Sequence, residues 1–147
     1  MEIFMSKTAV IYWSGTGNTK AMAEAIFAGA KAADAQNGIF EVSEISAEKA
    51  LEFDNLILGC PAMGDEVLEE GEFEPFFESI EGGLSGKNVA LFGSYGWGDG
   101  EWMRNWEERV IGAGAKLVGG EGLIVNDAPD ADAEANCTQL GSTVAAL

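Results

Sequence analysis

Short apolar runs that alternate with segments of helical periodicity restrict the fold of this chain more than any other feature. The runs are rich in Val, Ile, Leu and Phe and occupy residues 7–13, 40–45, 55–60, 87–92 and 116–125, the last interrupted by Gly119-Gly120. Runs that are apolar throughout are typical of parallel strands buried on both faces, and parallel neighbours need crossover helices. Apolar residues recur at helical spacing over residues 23–30, 73–80, 102–110 and 137–147. The alternation predicts an α/β fold, a doubly wound five-stranded parallel sheet with helices on both faces.

The length and the ends of the chain bound its organisation. With 147 residues and 47% hydrophobic content, we expect one domain over residues 1–147, with residues 1–6 as a short N-terminal extension. The first residues lack a basic segment followed by an apolar one, and no stretch approaches the ~20 apolar residues of a membrane span. We therefore expect a cytoplasmic protein without a membrane segment.

The strongest compositional feature is a net charge of −17. Such acidity disfavours nucleic acid and anionic membranes as partners, because both carry negative charge. It favours partners with basic docking patches, with association rates that fall as salt rises. Composition alone is equally compatible with acidity that only keeps the protein soluble.

The absence of histidine excludes whole classes of chemistry. Ser-His-Asp and Cys-His catalysis both need an imidazole, which is also the commonest metal ligand. Cys60 and Cys137 are the only cysteines and form neither a CxxC motif nor a zinc spacing, so we expect two buried thiols and no metal site. Any redox chemistry must therefore come from a bound group.

The loop after the first predicted strand is suited to a phosphate. It combines two glycines with four hydroxyl or amide side chains before a helix N-terminus, in the order Ser14, Gly15, Thr16, Gly17, Asn18, Thr19. It matches neither a GxxxxGK[ST] loop nor GxGxxG. Neutral donors suit a single terminal phosphate better than a triphosphate. The alternative is a plain turn with a Ser or Thr helix cap.

Three segments resemble one family. The sequence of residues 12–19 is similar to the phosphate loop of flavodoxins. Residues 59–66 and 93–99 are similar to the two flavin-ring loops of the short-chain flavodoxins of anaerobic, clostridial-like bacteria. The resemblance implies a sheet of order 2-1-3-4-5 and a bound FMN. It also implies an electron carrier rather than an enzyme, and a monomer whose partners are reductases and other oxidoreductases.

The resemblance also implies roles in the ring loops. Met63 and Trp97 would lie on opposite faces of the flavin, and the Gly64-Asp65 peptide would flip on reduction so that its carbonyl accepts from flavin N5–H. Glu66 would accept from flavin N3–H. The complete set implied by the two loops comprises Pro61, Ala62, Met63, Gly64, Asp65, Glu66, Ser94, Tyr95, Gly96, Trp97, Gly98 and Asp99.

The acidity of these loops predicts the redox behaviour. No basic residue falls within them, so a negative charge on the reduced ring would be repelled. Stabilising the neutral semiquinone while opposing the second electron yields a low-potential, one-electron carrier that uses the semiquinone/hydroquinone couple.

Two other functions stay open at this point. A flavin-dependent quinone reductase or a ribonucleotide-reductase activator has the same fold, but an enzyme needs space for a second substrate over the ring. A non-redox module like a response regulator shares the topology, but needs an acidic cluster and a lysine that this phosphate loop lacks.

Overall fold

A single parallel sheet forms the centre of the molecule. The computed structural model describes residues 7–33, 37–64 and 66–147. The strand order is β2-β1-β3-β4-β5, with β6 also paired to β4, which confirms the predicted topology. The strands are β1 (Thr8–Tyr12), β2 (Gly38–Glu41), β3 (Asn55–Gly59), β4 (Asn88–Tyr95), β5 (Lys116–Leu117) and β6 (Leu123–Asn126).

The predicted interruption of the last strand is confirmed. Strand β5 pairs with the start of β4, where Leu117 lies opposite Val89, and β6 pairs with its end, where Asn126 lies opposite Tyr95. Between them Gly119 and Gly120 have φ of +82° and +79°. Two successive left-handed residues turn the chain out of the sheet, and only glycine adopts that conformation without a Cβ penalty. The sixth strand is thus the second half of an interrupted fifth.

Helices cover both faces of the sheet, as predicted. The helix α1 (Asn18–Ala33) packs against the C-terminal helix α5 (Ala131–Ala145) on one face. On the other face lie α3 (Phe73–Glu81) and α4 (Glu101–Gly112), together with the one-turn helix α2 (Ala47–Ala50). Each face has its own apolar cluster, so the central strands are buried on both sides.

The strand predicted over residues 40–45 is shorter than expected. Strand β2 ends at Glu41 and a single 3₁₀ turn follows over Val42–Glu44. The carboxylate of Glu44 accepts from the backbone N–H of Glu41 at 2.7 Å, which closes a capping box. This local bond competes with strand extension, and the alternation of apolar residues did not reveal it.

Candidate functional site

A cleft of about 330 Å³ opens at the carboxyl edge of the sheet, where the loops after β1, β3 and β4 meet. Its location agrees with the rule that ligands of doubly wound sheets bind where the strand order reverses. The lining residues come from three loops and the end of β6: Trp13, Gly15, Thr16, Asn18, Pro61, Ala62, Met63, Gly64, Ser94, Tyr95, Gly96 and Asp127.

The loop after β1 is shaped by Ser14. Its Oγ accepts from the backbone N–H of Gly17 at 3.1 Å and of Lys20 at 3.2 Å. Gly17 has a φ of +101°, which lets the loop curl before α1 begins at Asn18. The first N–H groups of a helix have no partner within it and point out of its N-terminus. The loop is therefore formed by its own bonds and presents neutral donors to the cleft.

Thr19 joins this loop to the sheet. Its Oγ1 and the Oγ of Ser94 lie 3.0 Å apart, and the backbone N–H of Ser94 donates to the Thr19 hydroxyl at 3.3 Å. Both residues are buried. Of the six predicted phosphate-loop residues, Thr19 thus lies behind the cleft and fixes the start of α1 against the end of β4.

The loop after β3 makes a closed turn beside the cleft. The N–H of Glu66 donates to the carbonyl of Met63 at 2.8 Å, and the N–H of Met63 donates to the carbonyl of Val67 at 3.0 Å. The N–H of Ala62 donates to the carbonyl of Ser94 at 3.0 Å, which fixes this loop to β4. A Cβ on Gly64 would meet no atom within 4 Å. Asp65, also predicted for the site, lies outside the described residues.

Glu66 has an unusual backbone conformation and a buried side-chain oxygen that no described residue contacts by a hydrogen bond. Its φ is +52°, in the left-handed region that residues with a side chain seldom adopt. Its Oε1 is buried and has no hydrogen-bond partner among the described residues. A Cβ on Gly98, whose φ is +89°, would collide with this carboxylate. The absence of a side chain at Gly98 therefore leaves room for the Glu66 carboxylate. Oε1 of that carboxylate can still accept a hydrogen bond.

The loop after β4 presents Trp97 to solvent. Its side chain is 65% exposed, which is unusual for the largest apolar residue. The neighbouring Asp99 does not line the cleft but pairs with Arg104 of α4, with 3.0 Å between Oδ1 and Nη2. The two ring loops carry no basic residue. Arg104 of α4 nevertheless lies beside the loop after β4, which its position in the sequence did not predict.

Cys60 and Glu69 are bonded to each other within the loop after β3. The thiol of Cys60 accepts from the N–H of Glu69 at 3.4 Å, and burial raises the pKa of Cys60 to about 12. Burial of Glu69 favours its neutral form, but bonds from the N–H groups of Phe73, Glu72 and Gly71 outweigh it and lower the pKa of Glu69. Cys60 is thus an inert buried thiol, as predicted.

Two lining residues, Trp13 and Asp127, stand outside the set of residues named for the phosphate loop and the two ring loops. Trp13 packs over Gly15 and donates from Nε1 to the carboxylate of Glu72 at 3.2 Å. Asp127 has a φ of +57°, and its N–H donates to the carbonyl of Tyr95 at 2.8 Å. An Asn-Asp pair at a strand end is a turn signal, and it was the available clue to Asp127.

The two ends of the cleft differ in chemistry and together fit FMN. One end offers hydroxyl and N–H donors at a helix N-terminus, suited to a phosphate. The other is lined by Ala62, Met63, Tyr95 and Gly96, which offer backbone polar groups and apolar surface suited to a flat ring, and the exposed indole of Trp97 belongs to the same loop as Gly96. Within residues 7–33, 37–64 and 66–147, no group of three potential metal ligands is found.

Comparison with known proteins identifies the family. The flavodoxin family model matches residues 10–140. The flavodoxin of Clostridium beijerinckii is 53% identical over 136 residues, covering 92% of this chain and 97% of the relative. That of Megasphaera elsdenii is 46% identical over 136 residues, with 92% and 96% covered.

The solved structures agree. The solution structure of two-electron reduced Megasphaera elsdenii flavodoxin has a TM-score of 0.86 and 45% identity, covering 95% of this chain and 99% of that one. Both anaerobes have flavodoxins of the short-chain type predicted from residues 59–66 and 93–99. Flavodoxins are electron-transfer proteins that bind FMN and are not enzymes. The chain belongs to the flavodoxin family.

Proposed function

We propose that this chain is a low-potential carrier that moves one electron at a time between redox enzymes through its FMN. The observation that supports this most directly is the charge of the ring end. In the described part of the chain, the residues that line the cleft include Asp127 and no lysine or arginine, and Glu66 belongs to the same loop as the lining residues Pro61 to Gly64. FMN supplies the redox chemistry, because its ring accepts and releases electrons singly.

The carboxylates near the cleft set the reduction potential of the bound FMN in this proposal. In a partly dry site, the carboxylates of this chain would repel a negative charge on the ring. Each ~1.4 kcal/mol of repulsion lowers a one-electron potential by about 60 mV. Arg104 offsets little of this repulsion, since it is paired with Asp99 and more than half exposed. The chain therefore opposes the second electron more than the first.

The residues of the three loops have distinct tasks in this proposal. Residues 14–18 would hold the phosphate with neutral donors, and Thr19 fixes their loop to β4 from behind. Trp97 and Met63 would hold the two faces of the ring. Glu66 would accept from the ring N3–H, and the Gly64 carbonyl would turn to accept from N5–H. The open space around Gly64 supports that rotation.

The surface charge supports the proposed partners. The net charge of −17 favours transient docking to redox enzymes with basic patches around their own cofactors. We propose that the protein acts as a cytoplasmic monomer, in one domain over residues 1–147. None of the helices in the described part of the chain combines the length and apolar character needed to cross a membrane.

A stepwise reductive titration tests the carrier proposal. Visible spectra and the potential are recorded together as the FMN-loaded protein is reduced. We expect two separate one-electron steps, the second well below that of free FMN. A single two-electron step at the potential of free FMN would contradict the proposal. Rapid NAD(P)H–quinone turnover by the purified protein alone would instead indicate an enzyme on this fold.

A further inference from the structure

Two buried side-chain atoms have no hydrogen-bond partner among the described residues, and they are complementary. One is Oε1 of Glu66, an acceptor, and the other is Nε1 of Trp106, a donor. Both residues line the same cavity of about 110 Å³, which lies between the loop after β3 and the helices α3 and α4. The residues that carry an unpartnered donor and an unpartnered carboxylate oxygen among the described residues thus line the same small cavity.

The other polar residues of this cavity are already committed. Both carboxylate oxygens of Glu74 accept from Arg109, at 2.7 and 2.8 Å, and Arg109 also bonds to Glu81. Asn105 is exposed and is therefore hydrated. Water does not satisfy the two orphan atoms in this arrangement, because less than 1 Å² of either is accessible. Among the residues that line this cavity, Trp106 therefore has a donor without an acceptor and Glu66 an acceptor without a donor in the described part of the chain.

The two residues differ in their freedom to move. Trp106 is 1% exposed, and its ring lies edge-on to Phe73 and Phe77, with centroids 5.3 and 6.0 Å apart. Glu66 is a partly exposed residue of the loop after β3 and lines the cavity. A hydrogen bond between the two residues would therefore form by a movement of the Glu66 side chain, because the indole of Trp106 is held in place.

We propose that, in the FMN-loaded protein, the indole N–H of Trp106 donates to Oε1 of Glu66, which makes Trp106 a positioning residue for the flavin site. This inference rests on the proposed function, in which Glu66 accepts from the flavin. A carboxylate has two oxygens, so one accepts from Trp106 while the other faces the ring. The bond would hold the carboxylate in one orientation, and it compensates the burial of a charged group.

Nuclear magnetic resonance tests the bond without altering Trp106. The indole ¹H–¹⁵N signal of Trp106 is followed in the wild-type protein and in Glu66→Ala, both loaded with FMN. We expect slow exchange with water and a downfield proton shift in the wild type, and loss of the downfield shift in Glu66→Ala. An indole shift that is the same in both proteins would overturn the proposal.

A double-mutant cycle on FMN affinity separates positioning from packing. Trp106→Phe removes the donor, and we expect it to weaken FMN binding about fivefold in the wild type and not at all in the Glu66→Ala background. Phe77→Leu is the matched control, because it loosens the same aromatic cluster and removes no N–H. Its effect should be equal in both backgrounds.

The outcomes distinguish this inference from the function on which it rests. Coupling between Trp106 and Glu66, absent for Phe77, supports the bond. Equal losses from Trp106→Phe in both backgrounds would show a packing role only and overturn it, while leaving FMN binding intact. A wild-type protein that binds no FMN would overturn both. If Trp106→Phe does not fold, the nuclear magnetic resonance comparison decides.

Discussion

The two ends of the cleft are built on opposite principles. At the phosphate end the loop is shaped by its own bonds, since Ser14 accepts twice within it and Thr19 bonds to Ser94. At the ring end less is fixed, since Trp97 is 65% exposed and a Cβ on Gly64 would meet no neighbour within 4 Å. One end is thus formed before the cofactor arrives, whereas the other can adjust to it.

This difference separates affinity from redox control. A preformed loop loses little conformational entropy on binding, so it can hold a phosphate without a positive charge. A ring end with open space around Gly64 can change its hydrogen bonds when the ring changes its charge. Rigid binding at one end thus allows adjustment at the other.

Removing Trp97 should have the largest effect on binding. We expect Trp97→Ala to weaken FMN binding about 100-fold, from the lost burial of a large apolar group and the lost stacking. The free energy of unfolding of the apoprotein should not change, because the side chain is mostly exposed. Fluorescence titration and urea denaturation measure the two quantities. Unchanged affinity would refute the stacking role.

Distorting the preformed loop should have the next largest effect. A Cβ at Gly17 meets no neighbour, but its φ of +101° is strained for any other residue. We expect Gly17→Ala to weaken FMN binding about tenfold through ~1–2 kcal/mol of backbone strain. Gly112→Ala is the control, because its Cβ also meets open space and its φ is ordinary. Equal affinities for both variants would argue against a preformed loop.

Breaking the bond behind the loop should chiefly affect stability. Thr19→Val keeps the side-chain shape but leaves the buried Ser94 hydroxyl without this partner. We expect the free energy of unfolding of the apoprotein to fall by about 1–2 kcal/mol. Chemical denaturation measures it. A variant as stable as the wild type would show that the bond contributes nothing to preforming this end.

A substitution at Gly64 should change FMN binding least. Its main effect should be on redox behaviour. Gly64→Val has space for its side chain, so we expect FMN affinity and stability close to wild type. A β-branched residue restricts the backbone, so the yield of half-reduced flavin during titration should fall several-fold. An unaltered yield would show that no peptide rotation operates here.

Apolar patterning predicted the parallel sheet with helices on both faces and contiguous motifs predicted the three loops, whereas the strand order came from the resemblance to flavodoxins. The sequence predicted the interruption of the last strand from Gly119-Gly120 alone. The relation between Glu66, Gly98 and Trp106 was not predictable, because it arises where three segments distant in sequence meet. The pairing of Arg104 with Asp99 was missed for a related reason, since the helix turns a residue outside the loop back towards it.

Flavin binding to the apoprotein tests the central claim, that a neutral preformed loop binds the phosphate while the ring end stays adjustable. We expect FMN to bind tightly and turn the protein yellow, with riboflavin, which lacks the phosphate, at least about 100-fold weaker. The FMN affinity should not fall as salt rises, because no lysine or arginine lines the cleft in the described part of the chain. A protein that stays colourless with FMN, or that binds riboflavin equally well, would contradict the account.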